Sequence, residues 1–187
     1  MKSQNILVKQ NMDCCIADLG LACQCGPNGT LLGDPMPLLD QRQTVGTVRY
    51  LAPEYLKQEL FNDYLDLTKA DIYSTALVFW ELLNRTEGFM KSVDDIPEYN
   101  QPYWDMVPSE PSVDDMKAVV VAVPIRRPFI PQNYSQQVPC LDLEKANPLL
   151  FLAGVVRECW QERPLARLTA LRLKKNLRQL VSKQFSS

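Results

Sequence analysis

Histidine is missing altogether from this 187-residue chain. Its absence removes the Ser-His and Cys-His couples that activate hydroxyl and thiol nucleophiles. The six cysteines, Cys14, Cys15, Cys23, Cys25, Cys140 and Cys159, follow no zinc-site spacing. They read as reduced thiols of a cytosolic domain, not as a disulfide framework. No apolar run approaches the ~20 residues that cross a bilayer. Lys2-Ser3-Gln4-Asn5 lacks the apolar stretch of a secretory signal, so the chain is expected to be soluble, with no membrane segment. Basic residues are not in excess: 20 Lys and Arg stand against 22 Asp and Glu, a net charge of −2. Without a basic surplus, nucleic acid is not an expected partner. The tightest basic cluster, Arg172, Lys174, Lys175 and Arg178, falls on a helix-like stretch and reads as a solvated face.

What the chain does have is a core. Hydrophobic residues make up 46% of it, enough for one large domain or a lobe of a larger one. Residues 6–8 and 14–17 read as two short strands of a hairpin around Gln10-Asn11-Met12-Asp13. Residues 23–44 carry so many glycines and prolines that they read as one long loop, and loops of that length tend to be functional. From Asp71 to Arg85 the chain is apolar on nearly every face, the pattern of a helix buried mid-domain. Ser112 is placed to cap a helix, with an acid three positions on. Asn147-Pro148 is a cap followed by a first-turn proline, leading into a helix over 149–160. Thr169 can cap a last helix in which Leu173, Leu177 and Leu180 recur at helical spacing. No repeat and no second domain are visible. The sum is a mainly α fold with a small β-hairpin.

Two polar residues stand at one end of the hairpin. Asp18 follows the second strand, just ahead of Leu19-Gly20, and Asn5 precedes the first. Antiparallel pairing brings both side chains to the same end, where one carboxylate and one amide oxygen make a reasonable protein share of a magnesium shell. Taken singly, Asn5 reads as a turn residue and Asp18 as a helix or loop cap, and each of these plainer readings outweighs the metal one.

The order Asn5, Asp18-Leu19-Gly20, Gly46-Thr47, Ala52-Pro53-Glu54 and Arg167 resembles the back half of a protein kinase. The kinase catalytic loop H-R-D-L-x-x-x-N aligns its Asn with Asn5 and its Leu with Met1. The catalytic Asp would then precede Met1, and the glycine-rich loop and N-lobe would be absent. The resemblance sharpens in Cys14-Cys15-Ile16-Ala17-Asp18-Leu19-Gly20-Leu21-Ala22 and in Gly46-Thr47-Val48-Arg49-Tyr50-Leu51-Ala52-Pro53-Glu54. It continues in Pro102-Tyr103-Trp104-Asp105-Met106-Val107-Pro108-Ser109 and Arg157-Glu158-Cys159-Trp160. Together these look like the receptor serine/threonine kinases of the transforming growth factor beta family, nearest the type I branch. Leu51 and Tyr55 depart from the usual Met and Val.

The resemblance implies a protein-kinase-like fold, C-lobe only, with an activation segment over about 18–54 and helices to about 182. It implies ATP with Mg²⁺ or Mn²⁺ held by Asn5 and Asp18, Lys2 beside the transferred phosphate, and Thr47 facing the substrate hydroxyl. It implies a Glu54–Arg167 ion pair and a helix-start Asp71 that accepts hydrogen bonds from catalytic-loop amides. Lys2 reads otherwise as an exposed lysine, and Asp71 as a partner of the helix dipole. Receptor-regulated Smad proteins as substrates, a type II receptor kinase as activator and the cytoplasmic face of the plasma membrane follow from the same resemblance. So does the expectation that the isolated chain is inactive and folds marginally. The alternative is a kinase-like C-lobe that binds partners without catalysis.

Overall fold

The structure is a computed structural model that describes residues 1–20, 22–28, 30–32, 48–57, 64–86, 98–122, 128 and 148–184. Strands β1 (Ile6–Val8) and β2 (Cys14–Ile16) pair antiparallel, with Ile6 opposite Ile16 and Val8 opposite Cys14. Asn11 shapes the turn: its amide donates to Asp13 at 2.7 Å, and its carbonyl accepts from the Asp13 N–H at 3.1 Å. Asparagine favours such local bonding, which offers the backbone a turn in place of a ladder. At the open end the Ala17 N–H donates to the Asn5 carbonyl at 2.7 Å. That bond extends the pairing past the strands and fixes Asn5 beside the residue before Asp18.

The stretch 23–44 is not one loop. It contains a second hairpin, β3 (Gln24–Cys25) with β4 (Leu31–Leu32), closed by a 2.8 Å bond from the Gly26 N–H to the Thr30 carbonyl. Its breakers make a turn between strands too short for alternation to show. A Cβ on Gly26 would come within 3.2 Å of the Thr30 hydroxyl, a crowded position that glycine relieves.

Helix α1 (Pro53–Leu56) starts on a proline. The central helix α2 runs Tyr64–Asn84 and so begins seven residues earlier than its apolar stretch suggests. The first two turns, Tyr-Leu-Asp-Leu-Thr-Lys-Ala, contain no glycine or proline to stop it. Ile72, Tyr73, Ala76, Leu77, Val78, Trp80 and Leu83 of α2 are all buried. Ser112 closes a capping box on α3 (Val113–Met116): its hydroxyl accepts from the Asp115 N–H, and the Asp115 carboxylate accepts from the Ser112 N–H. A π turn, Lys117–Val121, follows and buries Val119 and Val120. Helix α4 (Pro148–Cys159) lies along α2 and buries Ala153, Val155, Val156 and Cys159. Burial pushes the Cys159 thiol up to about 12, and among the described residues Cys14, Cys15, Cys23, Cys25 and Cys159 are free thiols; Cys140 and Asn147 lie outside them. Helix α5 (Ala170–Gln184) is capped by Thr169, which accepts from the Arg172 N–H at 3.2 Å. Leu173 faces inward, Leu177 and Leu180 are half-buried, and Arg172, Lys174, Lys175 and Arg178 are exposed.

An apolar groove of about 1160 Å³ runs between β1–β2, α2 and α5, lined by Ile6, Val8, Val78, Phe79, Leu173 and Leu177 among others. Among the described residues no helix is long and apolar enough to cross a membrane.

Leu77 is fully buried on α2. Leu77→Ala should therefore cost about 2–5 kcal/mol, read as a lower urea midpoint at unchanged slope. A loss under about 0.5 kcal/mol would show that α2 is not the core.

Candidate functional site

The mouth of the β1–β2 hairpin is a cleft of about 370 Å³, and Lys2, Asn5, Asp18, Tyr55, Thr68 and Asp71 are among its lining. Extended backbone at Lys2 enters a short turn, Ser3–Asn5, closed by the Asn5 N–H on the Lys2 carbonyl at 3.1 Å. The turn delivers Asn5 to the start of β1. Opposite it, Asp18 adopts φ 59°. Non-glycine residues are uncommon there, and aspartate tolerates it better than most. Backbone held in such a region marks a position over-determined by its surroundings. The Asn5 amide donates to the Asp18 carboxylate at 3.1 Å. Its N–H end is thereby committed, and its carbonyl oxygen is left for another partner.

Among the described residues no three His, Cys, Asp or Glu side chains cluster as a ready-made metal cage. One amide oxygen and one carboxylate instead suit a hard divalent cation that takes its remaining oxygens from water and phosphate. Tyr55 borders the same cleft, and burial pushes its phenol up. Thr47 lies outside the described residues.

The segment after Thr47 is held on two sides. Val48, Arg49 and Tyr50 form a buried turn. The Arg49 guanidinium donates to the carbonyls of Pro102 (2.9 Å), Pro108 (2.6 Å) and Ser109 (2.8 Å). Burial lowers its pKa, so the carbonyls replace part of the water the cation loses. On the other side, the Tyr50 hydroxyl donates to Glu81 of α2 at 2.5 Å.

Four residues past Tyr50, Glu54 meets Arg167. The two Nη groups donate to the two carboxylate oxygens at 2.6 and 2.8 Å. The three remaining N–H groups of Arg167 reach the carbonyls of Lys69 (3.0 Å), Gln161 (2.7 Å) and Glu162 (3.0 Å). All five guanidinium donors are thus used. The guanidinium also lies 5.1 Å from the Tyr73 ring centre, a cation–π distance. Lys69 returns the favour by donating to the carbonyls of Arg167 and Leu168.

Asp71 is not at a helix start. It sits in the third turn of α2, largely exposed, with Oδ1 3.7 Å from the Met1 nitrogen. The start of the chain ahead of Asn5 therefore approaches it, and Leu67 and Thr68 of α2 border the same cleft.

Sequence reasoning passed over Arg49, Lys69 and Glu81. Glu81 had a signal: it is the acid within Trp80-Glu81-Leu82-Leu83, on a helix expected to be buried, and buried polar residues are informative. Arg49 and Lys69 had none, because their partners are backbone carbonyls far along the chain.

A family model described as "Protein kinase domain" matches residues 1–177. Activin receptor type-1-like of Rattus norvegicus is 41% identical over 182 residues, which is 96% of this chain and 32% of that protein. TGF-beta receptor type-1 of Homo sapiens is 42% identical with the same coverage. The chain thus spans about a third of the length of these curated relatives.

Removing one partner of a fully buried ion pair leaves the other charge stranded, at about 3–5 kcal/mol. Glu54→Ala should lose that much in urea unfolding, and a loss below about 1 kcal/mol would mean the contact is solvent-screened. Burial also pushes the Glu81 carboxyl above its ordinary 4.5. An acid raised in this way stabilises the fold when protonated; its contribution is complete below 4.5 and is lost as pH rises through the folded-state value. Relative to Glu81→Gln, the natural chain should lose stability on going from about pH 4 to pH 8. Parallel stability curves for the two would contradict this.

Proposed function

This chain belongs to the protein kinase domain family, and from that premise we propose that it is the metal-holding, substrate-positioning part of a receptor serine/threonine kinase. Kinases of this family use ATP and a divalent metal. The observation that carries the reading is the Asn5–Asp18 pair at the hairpin mouth, 3.1 Å apart in a cleft that also holds Lys2. Asn5 Oδ1 and the Asp18 carboxylate would hold the cation, Mg²⁺ or Mn²⁺, by the chemistry of their oxygens. When bound there, the cation would supply charge neutralisation for the phosphate.

The rest of the work falls to the chain. Lys2 brings a positive charge to the transferred phosphate, where a compact ammonium acts as a point charge. Thr47, adjoining the anchored turn Val48–Tyr50, orients the substrate hydroxyl. Glu54 and Arg167 fix the far end of that segment to the helical base, and Asp71 restrains the backbone ahead of Asn5. Positioning of this kind supplies much of phosphoryl-transfer catalysis.

The named relatives support a place in the transforming growth factor beta receptor family. On that likeness the substrates are serines of receptor-regulated Smad proteins. The activator is a type II receptor kinase, and the site of action is the cytoplasmic face of the plasma membrane. Lys2 and Thr47 favour serine and threonine over tyrosine.

Mn²⁺ titrated into the isotope-labelled chain should broaden the Asn5 side-chain amide resonances first, and Asp18→Ala should abolish that preference. Equal broadening at all exposed acids would leave the non-catalytic, partner-binding reading in its place. In a transfer assay with ATP and Mg²⁺, on a protein in which a catalytic Asp and an N-lobe precede this chain, label should appear on phosphoserine and phosphothreonine; label on tyrosine would overturn the specificity.

A further inference from the structure

Glu81 lies inside the core and, among the described residues, its carboxylate is held by phenols and by no cation. It is 6% exposed on α2, and its two oxygens accept from two phenols that come from different parts of the chain. Tyr50 donates to Oε1 at 2.5 Å and Tyr99 to Oε2 at 3.0 Å. A third hydroxyl completes the group: Ser3 Oγ lies 3.2 Å from the Tyr50 hydroxyl. A phenol has one proton, and that of Tyr50 is committed to Glu81. Ser3 must therefore be the donor in the second bond. The result is a directed chain from Ser3 to Tyr50 to Glu81, spanning 47 residues of sequence in its first step and 31 in its second.

The two ends of that chain matter. Ser3 sits between Lys2 and Asn5 in the turn that shapes the metal-side cleft. Tyr50 is the last residue of the buried turn that follows Thr47. An apolar side chain at position 81 would fill the same space without a buried charge, and a carboxylate there is costly unless its bonds are needed. Tyr99 is half-exposed, so one edge of the group meets solvent. The Arg49 cage holds the same turn from the opposite side, through carbonyls of the 102–109 segment. The Ser3–Tyr50 bond joins the cleft turn to the substrate-side turn, and Glu81 holds the Tyr50 hydroxyl that makes it.

We infer that Glu81 is a positioning residue that couples the phosphate-side turn Ser3–Asn5 to the substrate-side turn Val48–Tyr50 through the Ser3 and Tyr50 hydroxyls. The functional meaning of those two sides rests on the kinase reading; the coupling itself does not.

Amide hydrogen exchange on the 187-residue chain tests it, comparing the natural protein with Glu81→Gln, Tyr50→Phe and Ser3→Ala. Tyr50→Phe keeps the ring and removes only the relay. It should speed exchange about tenfold in residues 48–52 and at least threefold in residues 3–8, with the α2 amides unchanged. Glu81→Gln should raise the same two segments together. Ser3→Ala should loosen residues 3–8 and, to a smaller extent, residues 48–52. Faster exchange confined to residues 48–52 in both Tyr50→Phe and Glu81→Gln would overturn the coupling. So would a uniform rise across α2, which would reduce Glu81 to a general stabiliser. If instead the coupling is found and no divalent cation binds at Asn5 and Asp18, the metal-holding reading fails while the coupling stands.

Discussion

One guanidinium organises this molecule. Arg167 is fully enclosed, and an enclosed cation is tolerated only when its lost water is replaced bond for bond. Two bonds go to Glu54, and three go to carbonyls from α2 and from the segment before Arg167. Those five bonds join three stretches that are far apart in sequence. Each has to be in place for the others to be satisfied, so the contact works as an all-or-none constraint on topology. Its net worth in stability is small by comparison with what its breakage costs.

From that anchor the rest of the site follows by short distances along the chain. Glu54 lies in the first turn of α1, two residues beyond the end of the segment that follows the turn Val48–Tyr50. Arg49 and Tyr50 then fasten the turn to the 102–109 segment and to α2. Tyr50 also meets Ser3, and Ser3 belongs to the turn that sets Asn5 against Asp18. The Asn5–Asp18 pair and the turn Val48–Tyr50, proposed here as the metal and substrate sides, are thereby carried by one helical base. For phosphoryl transfer this suits the chemistry, because the protein's task there is placement of charges and groups.

Much of this was legible in the residues. The β1–β2 hairpin, the Ser112 and Thr169 caps and the buried stretch of α2 follow from local rules of alternation, capping and apolar periodicity. The neighbourhood of Asn5 and Asp18 follows from antiparallel pairing alone. The start of α2 did not, because helix-forming residues 64–70 lack the all-round apolar pattern that marks its later turns. The β3–β4 hairpin escaped because two-residue strands carry no period. The Arg49 cage and the Lys69 bonds escaped for another reason: their acceptors are backbone carbonyls, which every residue possesses. Glu54 and Arg167, 113 residues apart, were paired through family resemblance, since no local rule links side chains at that separation.

The most direct measurement is anomalous diffraction from crystals of the chain grown with Mn²⁺. The account requires a peak within coordinating distance of both Asn5 Oδ1 and the Asp18 carboxylate, with Glu54 and Arg167 still paired beneath. A peak seated only at other carboxylates, or Asn5 and Asp18 turned away from the ion, would contradict it.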